Sequence, residues 1–240
     1  MSKIKELQEI IDRSNNIVFF GGAGVSTESG IPDFRSKNGI FNSIEKYGLR
    51  PEEILSHSYY LKNTAKFYDY YKKNLIFKDA KPNAAHLKLS QLEKDGKLKA
   101  VITQNIDGLH QKAGSKNVLE LHGNIYRNYC MKCGKKYSLE YILKNEGIPT
   151  CECGGLVKPD VVLYEESLDN TILTLSTEYI SQAETLIIGG TSLVVQPAAS
   201  LINYFDGENL VLINKSKTEY DHIASLVINE AIGQTLRLIE

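Results

Sequence analysis

Residues 17–26 read IVFFGGAGVS, a short apolar run that passes directly into a glycine-rich segment. Residues 17–20 are apolar at every position, which is typical of a strand buried on both faces of a sheet. Glycines after such a strand let the main chain approach a pyrophosphate closely, and a following helix N-terminus favours its negative charge. The stretch therefore predicts the first strand of a dinucleotide-binding sheet, although a glycine turn needed only for tight packing remains open.

Further short apolar runs continue this pattern along the chain. They lie at residues 100–103, 118–121, 161–163, 186–188, 210–213 and 226–228, with helical patterns at 82–94, 169–183 and 197–205. Apolar strands that alternate with helices predict a parallel sheet covered on both faces. We therefore expect an α/β fold with a doubly wound, Rossmann-like parallel sheet.

Two segments interrupt the alternation. Residues 37–79 are rich in Tyr, Lys and Asn, and residues 128–156 hold every cysteine. Both are interpreted as insertions, so a smaller, discontinuous helical and zinc-binding domain of residues 37–79 and 128–156 is expected. The Rossmann-like domain would then consist of residues 1–36, 80–127 and 157–240.

The charge balance excludes some partners. Lys and Arg number 28 against 29 Asp and Glu, which gives a net charge of −1 and argues against nucleic-acid binding. No run approaches the roughly 18 apolar residues of a membrane helix. Ile4, Leu7, Ile10 and Ile11 repeat at helical spacing among charges, unlike a signal peptide. A soluble, cytoplasmic protein without a membrane partner is expected.

The four cysteines form two close pairs, Cys130 with Cys133 and Cys151 with Cys153. Four thiolates without a leftover are typical of one closed, structural, tetrahedral Zn²⁺ site per chain. The second pair is C-x-C rather than C-x-x-C. A redox pair or four unrelated cysteines are the alternatives.

Polar residues follow two of the predicted strands. Gln104, Asn105 and Asp107 follow residues 100–103, at the end of a parallel strand where ligands bind, although Asn-x-Asp could simply cap a helix that begins near Ile106. His122 follows residues 118–121, and a lone histidine is more often structural. His110 is interpreted as a satisfied core histidine.

A longer pattern gives these residues a common meaning. Residues 22–35, GAGVSTESGIPDFR, resemble the signature of the sirtuin family of NAD-dependent protein deacylases. Further matches follow in the order of that family and span essentially the whole chain: Lys81-Pro82-Asn83 with His86, QNIDGLH at 104–110, ELHG at 120–123, the four cysteines, Gly190-Thr191-Ser192 and Ile213-Asn214.

The resemblance implies an NAD-dependent protein-lysine deacetylase. Such an enzyme transfers the acyl group of acyl-lysine to ADP-ribose and releases nicotinamide, free lysine and O-acyl-ADP-ribose. Its partners would be acylated lysine-containing proteins or peptides, and NAD is consumed as co-substrate. A mono-ADP-ribosyltransferase and a non-catalytic zinc-and-nucleotide binding module remain as alternatives. A dehydrogenase is disfavoured because Thr27 stands at the third glycine position of the dinucleotide fingerprint and no ribose-binding acid is evident.

The resemblance also implies roles for individual residues. His122 would be the catalytic base, and Val162, Tyr164 and Glu165 would pair with the substrate peptide, Glu165 standing where the family usually shows glycine. The expected NAD contacts are Gly22, Ala23, Gly24, Thr27, Asp33, Phe34, Arg35, Gln104, Asn105, Ile106, Asp107, Gly190, Thr191, Ser192, Asn214 and Ile232.

Two further expectations concern the substrate. Family members that prefer succinyl or malonyl lysine carry a Tyr-x-x-Arg pair. Here Tyr68 keeps the tyrosine, but Tyr71 stands where the arginine would be. Neutral acyl groups are therefore expected to be favoured. Glu165 and Glu166 are expected to give the peptide groove a negative potential.

Overall fold

The structure is a computed structural model that describes residues 2–33 and 43–240. Its described strands are β1 (Ile17–Gly21), β2 (Leu98–Thr103), β3 (Val118–Glu120), β4 (Gly123–Cys130), β5 (Lys136–Ser138), β6 (Val157–Val161), β7 (Thr185–Gly189), β8 (Asn209–Ile213) and β9 (Leu226–Ile228). Six of them form one sheet in the order β3-β2-β1-β7-β8-β9, and all of its pairs are parallel.

The order of this sheet locates the ligand crevice. The chain winds from β1 outward through β2 to β3, and then returns to place β7 on the other side of β1. Connections leave β1 and β7 in opposite directions, so a crevice opens at the carboxyl ends of these two strands. The predicted doubly wound α/β fold is confirmed.

Helices cover both faces of the sheet. The named α-helices are α1 (Lys3–Arg13), α2 (Pro51–Ile54), α3 (His57–Lys62), α4 (Thr64–Asn74), α5 (Ala84–Lys94), α6 (Leu109–Ala113), α7 (Leu139–Lys144), α8 (Asn170–Gln182) and α9 (Ile232–Arg237), with 3-10 turns at Ala23–Val25, Thr27–Ser29 and Ala198–Tyr204. Successive strand residues point to opposite faces. Phe19 therefore packs with α1, α5 and α9, whereas Phe20 packs with α8 and the turn at Ala198–Tyr204.

A second, smaller sheet stands beside the first. β4 lies between β5 and β6, and both pairs are antiparallel. Its buried side chains share one core with α3 and α4, in which Tyr60, Phe67, Tyr68 and Tyr71 are each at most 1% exposed. The small sheet takes in residues 123–130 and 157–161, so it reaches across the domain boundaries expected at 127 and 157.

One strand prediction was wrong. Residues 161–163 do not join the parallel sheet, because Val161 ends β6 in the small sheet and the Val162 N–H donates to the His122 main-chain oxygen at 3.0 Å. An apolar run shows that a strand is buried, but it does not show which sheet receives it. Among the helices of the described ranges, none is long and apolar enough to cross a membrane.

Candidate active site

A cleft opens where the carboxyl ends of β1 and β2 face the smaller sheet and its helices. From the large sheet it is lined by Ala23, Ser26, Ile31, Pro32, Gln104, Asn105, Ile106, Asp107 and His122. From the other side it is lined by Leu55, Asn74, Leu75, Phe77, residues 161–166 and Leu168. Residues 195–197, in the loop that follows β7 of the large sheet, complete the wall. Six of the polar residues selected from the sequence therefore meet in one place: Gln104, Asn105, Asp107, His122, Tyr164 and Glu165.

The glycine loop after β1 packs against the loop after β7. The Gly24 N–H donates to the Gly190 main-chain oxygen at 2.7 Å, and a Cβ on Gly24 would lie 2.7 Å from the Gly190 Cα. Gly190 has a φ of +60°, and a Cβ there would lie 2.3 Å from the Val25 nitrogen. Close packing of two main chains therefore requires glycine at both positions, whatever else the loop binds.

A hydrogen-bonded chain ties the end of β2 to this loop. The Asn105 Nδ2 donates to the Gly22 main-chain oxygen (3.0 Å) and to the Ser26 Oγ (3.1 Å). The Ser26 hydroxyl donates in turn to the Asp107 Oδ2 at 2.7 Å. Burial raises the pKa of Asp107, while hydrogen bonds from Leu109 and Ser26 oppose that shift. The amide and the carboxylate are thus held rigidly beside the cleft.

Residues 105–107 were also considered as a helix cap, and one of them, Asp107, does cap a helix, although that helix begins later than expected. α6 begins at Leu109 and not near Ile106, with Gly108 before it at a φ of +69°. The Asp107 Oδ1 accepts the Leu109 N–H at 2.8 Å. Asp107 therefore both borders the cleft and satisfies a helix N-terminus.

His122 is half-buried at the cleft wall, directly before β4. Its Nδ1 lies 3.0 Å from the main-chain oxygen of Gln104. A carbonyl oxygen only accepts, so this contact requires the proton on Nδ1 and makes Nε2 the basic nitrogen of the neutral ring. Gly123 has a φ of +74°, and a Cβ there would lie 2.0 Å from the Asp160 main-chain oxygen. This close approach fixes the chain next to His122.

His110 was expected to be a satisfied core histidine, and only half of that is right. It is 1% exposed, and its ring centroid lies 4.7 Å from that of His86. Neither of its ring nitrogens has a hydrogen-bond partner among the residues that the structure describes. Burial and the neighbouring His86 hold the pKa of His110 well below its ordinary value.

The segment after β6 lines the cleft and is fastened from behind. Tyr164 pairs with the chain before α3, since its N–H donates to the Leu55 oxygen (3.0 Å) and its oxygen accepts the His57 N–H (2.9 Å). Glu166 receives the Lys158 ammonium at 3.0 Å and contacts the His57 Nδ1 at 2.7 Å. The Lys158 ammonium therefore offsets the negative charge that Glu166 was expected to add to the groove. The contribution expected of Glu165 stays a prediction.

The four cysteine sulfurs come together, as their spacing predicted. All lie within 4.8 Å of one another, with Cys130 and Cys153 at 3.5 Å and Cys133 and Cys151 at 3.6 Å. None forms a disulfide. A tetrahedral Zn²⁺ with bonds of about 2.3 Å separates its sulfurs by about 3.8 Å, so the cluster fits such an ion.

The remaining expected NAD contacts lie around the cleft or elsewhere. Gly22, Gly24, Thr27, Asp33, Gly190, Thr191, Ser192 and Asn214 follow β1, β7 and β8 at their carboxyl ends. Thr191 is tied to the cleft, since its Oγ1 accepts the Gln104 Nε2 at 3.1 Å. The Ile232 side chain is 2% exposed and packs against Gly189, so its expected NAD contact stays a prediction. Phe34 and Arg35 lie outside the described residues.

Several residues that line the cleft were not predicted from the sequence, because they belong to no recognisable motif. Asn74, Leu75 and Phe77 follow α4, and Leu55 and Leu168 come from two further segments. These are ordinary apolar or amide side chains. A sequence places them at the end of an element, but only the packing of the small sheet against the large one brings them to the cleft.

Comparison with known proteins identifies the family of this chain. The Sir2 family model matches residues 22–197. The chain is 59% identical over 241 residues to an NAD-dependent protein deacetylase of Clostridium acetobutylicum, covering 100% of this chain and 98% of that protein. A Sir2–p53 peptide–NAD⁺ structure is 38% identical, with a TM-score of 0.88, and covers 99% of this chain and 96% of that one.

A Sir2 variant solved with a deacetylated p53 peptide and 3′-O-acetyl-ADP-ribose is 40% identical, with a TM-score of 0.90. That comparison covers 99% of this chain and 97% of the other. The likeness thus holds in sequence and in fold over nearly the entire length. The chain belongs to the Sir2 family.

Proposed function

We propose that this protein is an NAD-dependent protein-lysine deacetylase. It transfers the acyl group of an acylated lysine to ADP-ribose and releases nicotinamide, free lysine and O-acyl-ADP-ribose. The observation that carries the proposal is the meeting of Gln104, Asn105, Asp107 and His122 in one cleft of a Sir2-family chain. The Clostridium acetobutylicum relative bears the same activity in its name.

His122 is the proposed catalytic base. The Nδ1–H bond to Gln104 fixes the ring tautomer, so Nε2 accepts a proton from a ribose hydroxyl. In the proposed sequence the amide oxygen of the acyl-lysine first bonds to the ribose carbon that nicotinamide leaves. The deprotonated hydroxyl oxygen then attacks the former amide carbon, the bond from that carbon to the lysine nitrogen breaks, and water completes O-acyl-ADP-ribose. A positioned base of this kind contributes roughly 10²–10⁴-fold to rate.

NAD is the proposed co-substrate, and it supplies a ribose carbon from which nicotinamide can depart. Gly22, Ala23 and Gly24, together with Gly190, Thr191 and Ser192, fit its phosphates and ribose because they follow β1 and β7 at the switch point. Gln104, Asn105, Ile106 and Asp107 border the nicotinamide end, and Thr27, Asp33, Phe34, Arg35 and Asn214 complete the proposed set. Ile232, whose side chain packs against Gly189, is the last contact of the proposed set.

The second substrate is an acylated lysine in a protein or peptide. We assign its docking strand to Val162, Tyr164 and Glu165, which line the cleft next to His122. Strand addition of this kind takes affinity from main-chain hydrogen bonds. In the two related Sir2 structures the bound peptide comes from p53.

Zinc has a structural role in this proposal. Cys130, Cys133, Cys151 and Cys153 would hold one ion per chain and leave no open position for catalysis. The site closes the chain between β4 and β6, which frame His122 and the docking strand.

The chain is proposed to divide into two domains. We propose a Rossmann-like domain of residues 1–36, 80–127 and 157–240, and a smaller domain of residues 37–79 and 128–156. The small sheet joins the two.

A cytoplasmic location is proposed as well. The four cysteines form no disulfide, which suits a reducing compartment.

One labelling experiment separates deacetylation from ADP-ribosyl transfer. The protein is incubated with an acetyl-lysine peptide and NAD labelled in its ADP-ribose part. Deacetylation places the label in soluble O-acetyl-ADP-ribose and releases free lysine. Label retained on protein, without free lysine, would instead identify a mono-ADP-ribosyltransferase, an activity that no observation here favours.

A further inference from the structure

We infer that Glu165 is a positioning residue whose carboxylate fastens the docking strand to the amino end of α3. It acts through the main chain that the peptide meets and does not need to touch the reacting atoms. This inference rests on the proposed function, because it assumes that an acylated peptide docks on residues 162–165.

The main chain at Glu165 adopts a conformation that favours glycine. The Glu166 N–H donates to the Leu163 oxygen at 3.0 Å, which closes a tight turn over residues 163–166. Glu165 is the third residue of this turn and has a φ of +75°. Turns with a positive φ at that position usually carry glycine, because a Cβ is strained there. Among described residues other than glycine, Leu193 alone shares a positive φ.

The side chain compensates for this strain. The Glu165 Oε2 accepts the Ser58 N–H at 2.8 Å, and its Oε1 accepts the Ser58 hydroxyl at 3.0 Å. Ser58 lies in the first turn of α3, where main-chain N–H groups lack partners within the helix. A carboxylate is favoured at that end of a helix by charge as well as by hydrogen bonding.

The contact between the Glu165 carboxylate and Ser58, called the clamp below, is one of three that hold residues 164–166 in place. Tyr164 is held by main-chain bonds to Leu55 and His57, and Glu166 is held by Lys158 and His57. Without the Glu165 carboxylate, the residue between them would have no side chain fastened to α3. A segment that is ordered only part of the time binds its ligand more weakly in proportion to that fraction. Glu165 therefore presets the strand for the peptide.

The test compares Glu165→Gly and Glu165→Gln with a matched control, Glu184→Ala. Glycine removes the clamp and relieves the strain, whereas glutamine keeps one acceptor for Ser58. Glu184 is an exposed carboxylate that accepts the N–H groups of Asn15 (2.7 Å) and Asn16 (3.2 Å) just before β7, at the far end of the sheet. All proteins are assayed with NAD and an acetyl-lysine peptide, and their melting is recorded.

We expect Glu165→Gly to raise the KM for the peptide about fivefold, because both hydrogen bonds from Ser58 to the carboxylate are lost at an exposed site. Glu165→Gln should raise it less, and Glu184→Ala should leave it within about twofold of wild type. The kcat and the KM for NAD should stay within about twofold in both Glu165 variants, a split that general destabilisation would not produce. Ser58→Ala should raise the peptide KM in wild type but not further in Glu165→Gly.

A peptide KM within about twofold of wild type in Glu165→Gly, with wild type active, would overturn the positioning role alone. Additive effects of Ser58→Ala and Glu165→Gly would also overturn it, since the two groups would then not act as one contact. Wild-type protein that shows no NAD-dependent deacetylation would overturn the proposed function and this inference together.

Discussion

The Nδ1 atom of His122 lies 3.0 Å from the main-chain oxygen of Gln104, the residue that follows β2. The end of one strand thereby fixes the tautomer of a histidine that stands at the end of the next. Gln104 also donates through its side chain to Thr191 after β7. The proposed base and the proposed nucleotide site are thus parts of one hydrogen-bonded frame.

His122→Tyr should abolish deacetylation while the fold remains intact. The expected loss is roughly 10²–10⁴-fold in kcat, because one positioned base is removed. His222→Tyr is the matched control, since His222 makes a similar Nδ1 contact to a main-chain oxygen, that of Glu219 (2.7 Å), at an exposed site outside the cleft. Activity of His122→Tyr within about threefold of wild type would remove His122 from the mechanism.

Glu166→Gln should destabilise the protein by about 3 kcal/mol, because it leaves the Lys158 ammonium, 4% exposed, without a counter-charge. Urea unfolding measures the change. The exposed pair Lys135–Glu152 supplies the control, and Glu152→Gln should change the free energy of unfolding little. Equal effects of the two substitutions would contradict the account.

The same carboxylate gives the stability of the protein a pH dependence. Burial alone would raise the pKa of Glu166, but hydrogen bonds from Leu163 and His57 and the charge of Lys158 hold it below its ordinary value. A depressed carboxyl pKa contributes stability above the unfolded-state value, and this stability is lost as the pH falls through the folded-state value. Wild type should therefore lose more stability than Glu166→Gln as the pH falls below about 4.3, the ordinary Glu value.

Much of the fold could be predicted from the sequence, because buried strands and helices place apolar residues in recognisable patterns. Residues 17–20 and 210–213 are apolar throughout and became central strands of the parallel sheet, and the cysteine spacing predicted a cluster that the structure brings together. Residues 161–163 are equally apolar, yet they lie at the end of β6 in the small sheet, because long-range contacts decide which strands pair. Residues 197–205 were expected as an ordinary helix and form a 3-10 turn at Ala198–Tyr204.

Site residues that belong to a sequence motif could be predicted, whereas those brought to the cleft by tertiary packing could not. Gln104, Asn105 and Asp107 follow a strand with polar side chains, which marks a ligand-binding edge. The fastening of Glu165 to Ser58 joins residues that are far apart in the sequence and have no motif in common. Leu55 and Phe77 reach the cleft through tertiary packing alone.

One zinc ion per chain should be found by metal analysis, and Cys151→Ser should lower both the zinc content and the melting temperature. A structural zinc contributes directly to folding, so its loss costs stability rather than a catalytic step. Met131→Ser is the control, because Met131 is exposed between two of the cysteines without ligating. Metal-free protein with unchanged melting would contradict a structural zinc site.

Acetyl-lysine should be turned over faster than succinyl-lysine. The Tyr68 hydroxyl donates to the Val157 main-chain oxygen, and Tyr71 is fully buried in the small core, so neither phenol lines the cleft. The Lys72 ammonium is bonded to the main-chain oxygen of Asn145. Within the described part of the cleft wall there is no Lys or Arg to pair with an acyl carboxylate.

Desolvation of the succinyl carboxylate without a cationic partner costs free energy, so the neutral acetyl group is favoured. Steady-state kinetics on one peptide that carries either acetyl or succinyl lysine measures the preference. An equal or higher kcat/KM for the succinyl peptide would show that a cation reaches the acyl group after all.

Coupling of NAD cleavage to lysine deacylation in this cleft can be measured by counting the products of a single reaction. Nicotinamide, free-lysine peptide and O-acetyl-ADP-ribose are quantified together by mass spectrometry, with a reaction lacking NAD as the blank. The three products should appear in equal amounts, and none should form without NAD. Free lysine produced without NAD, or nicotinamide released without an equal amount of free lysine, would contradict this coupling.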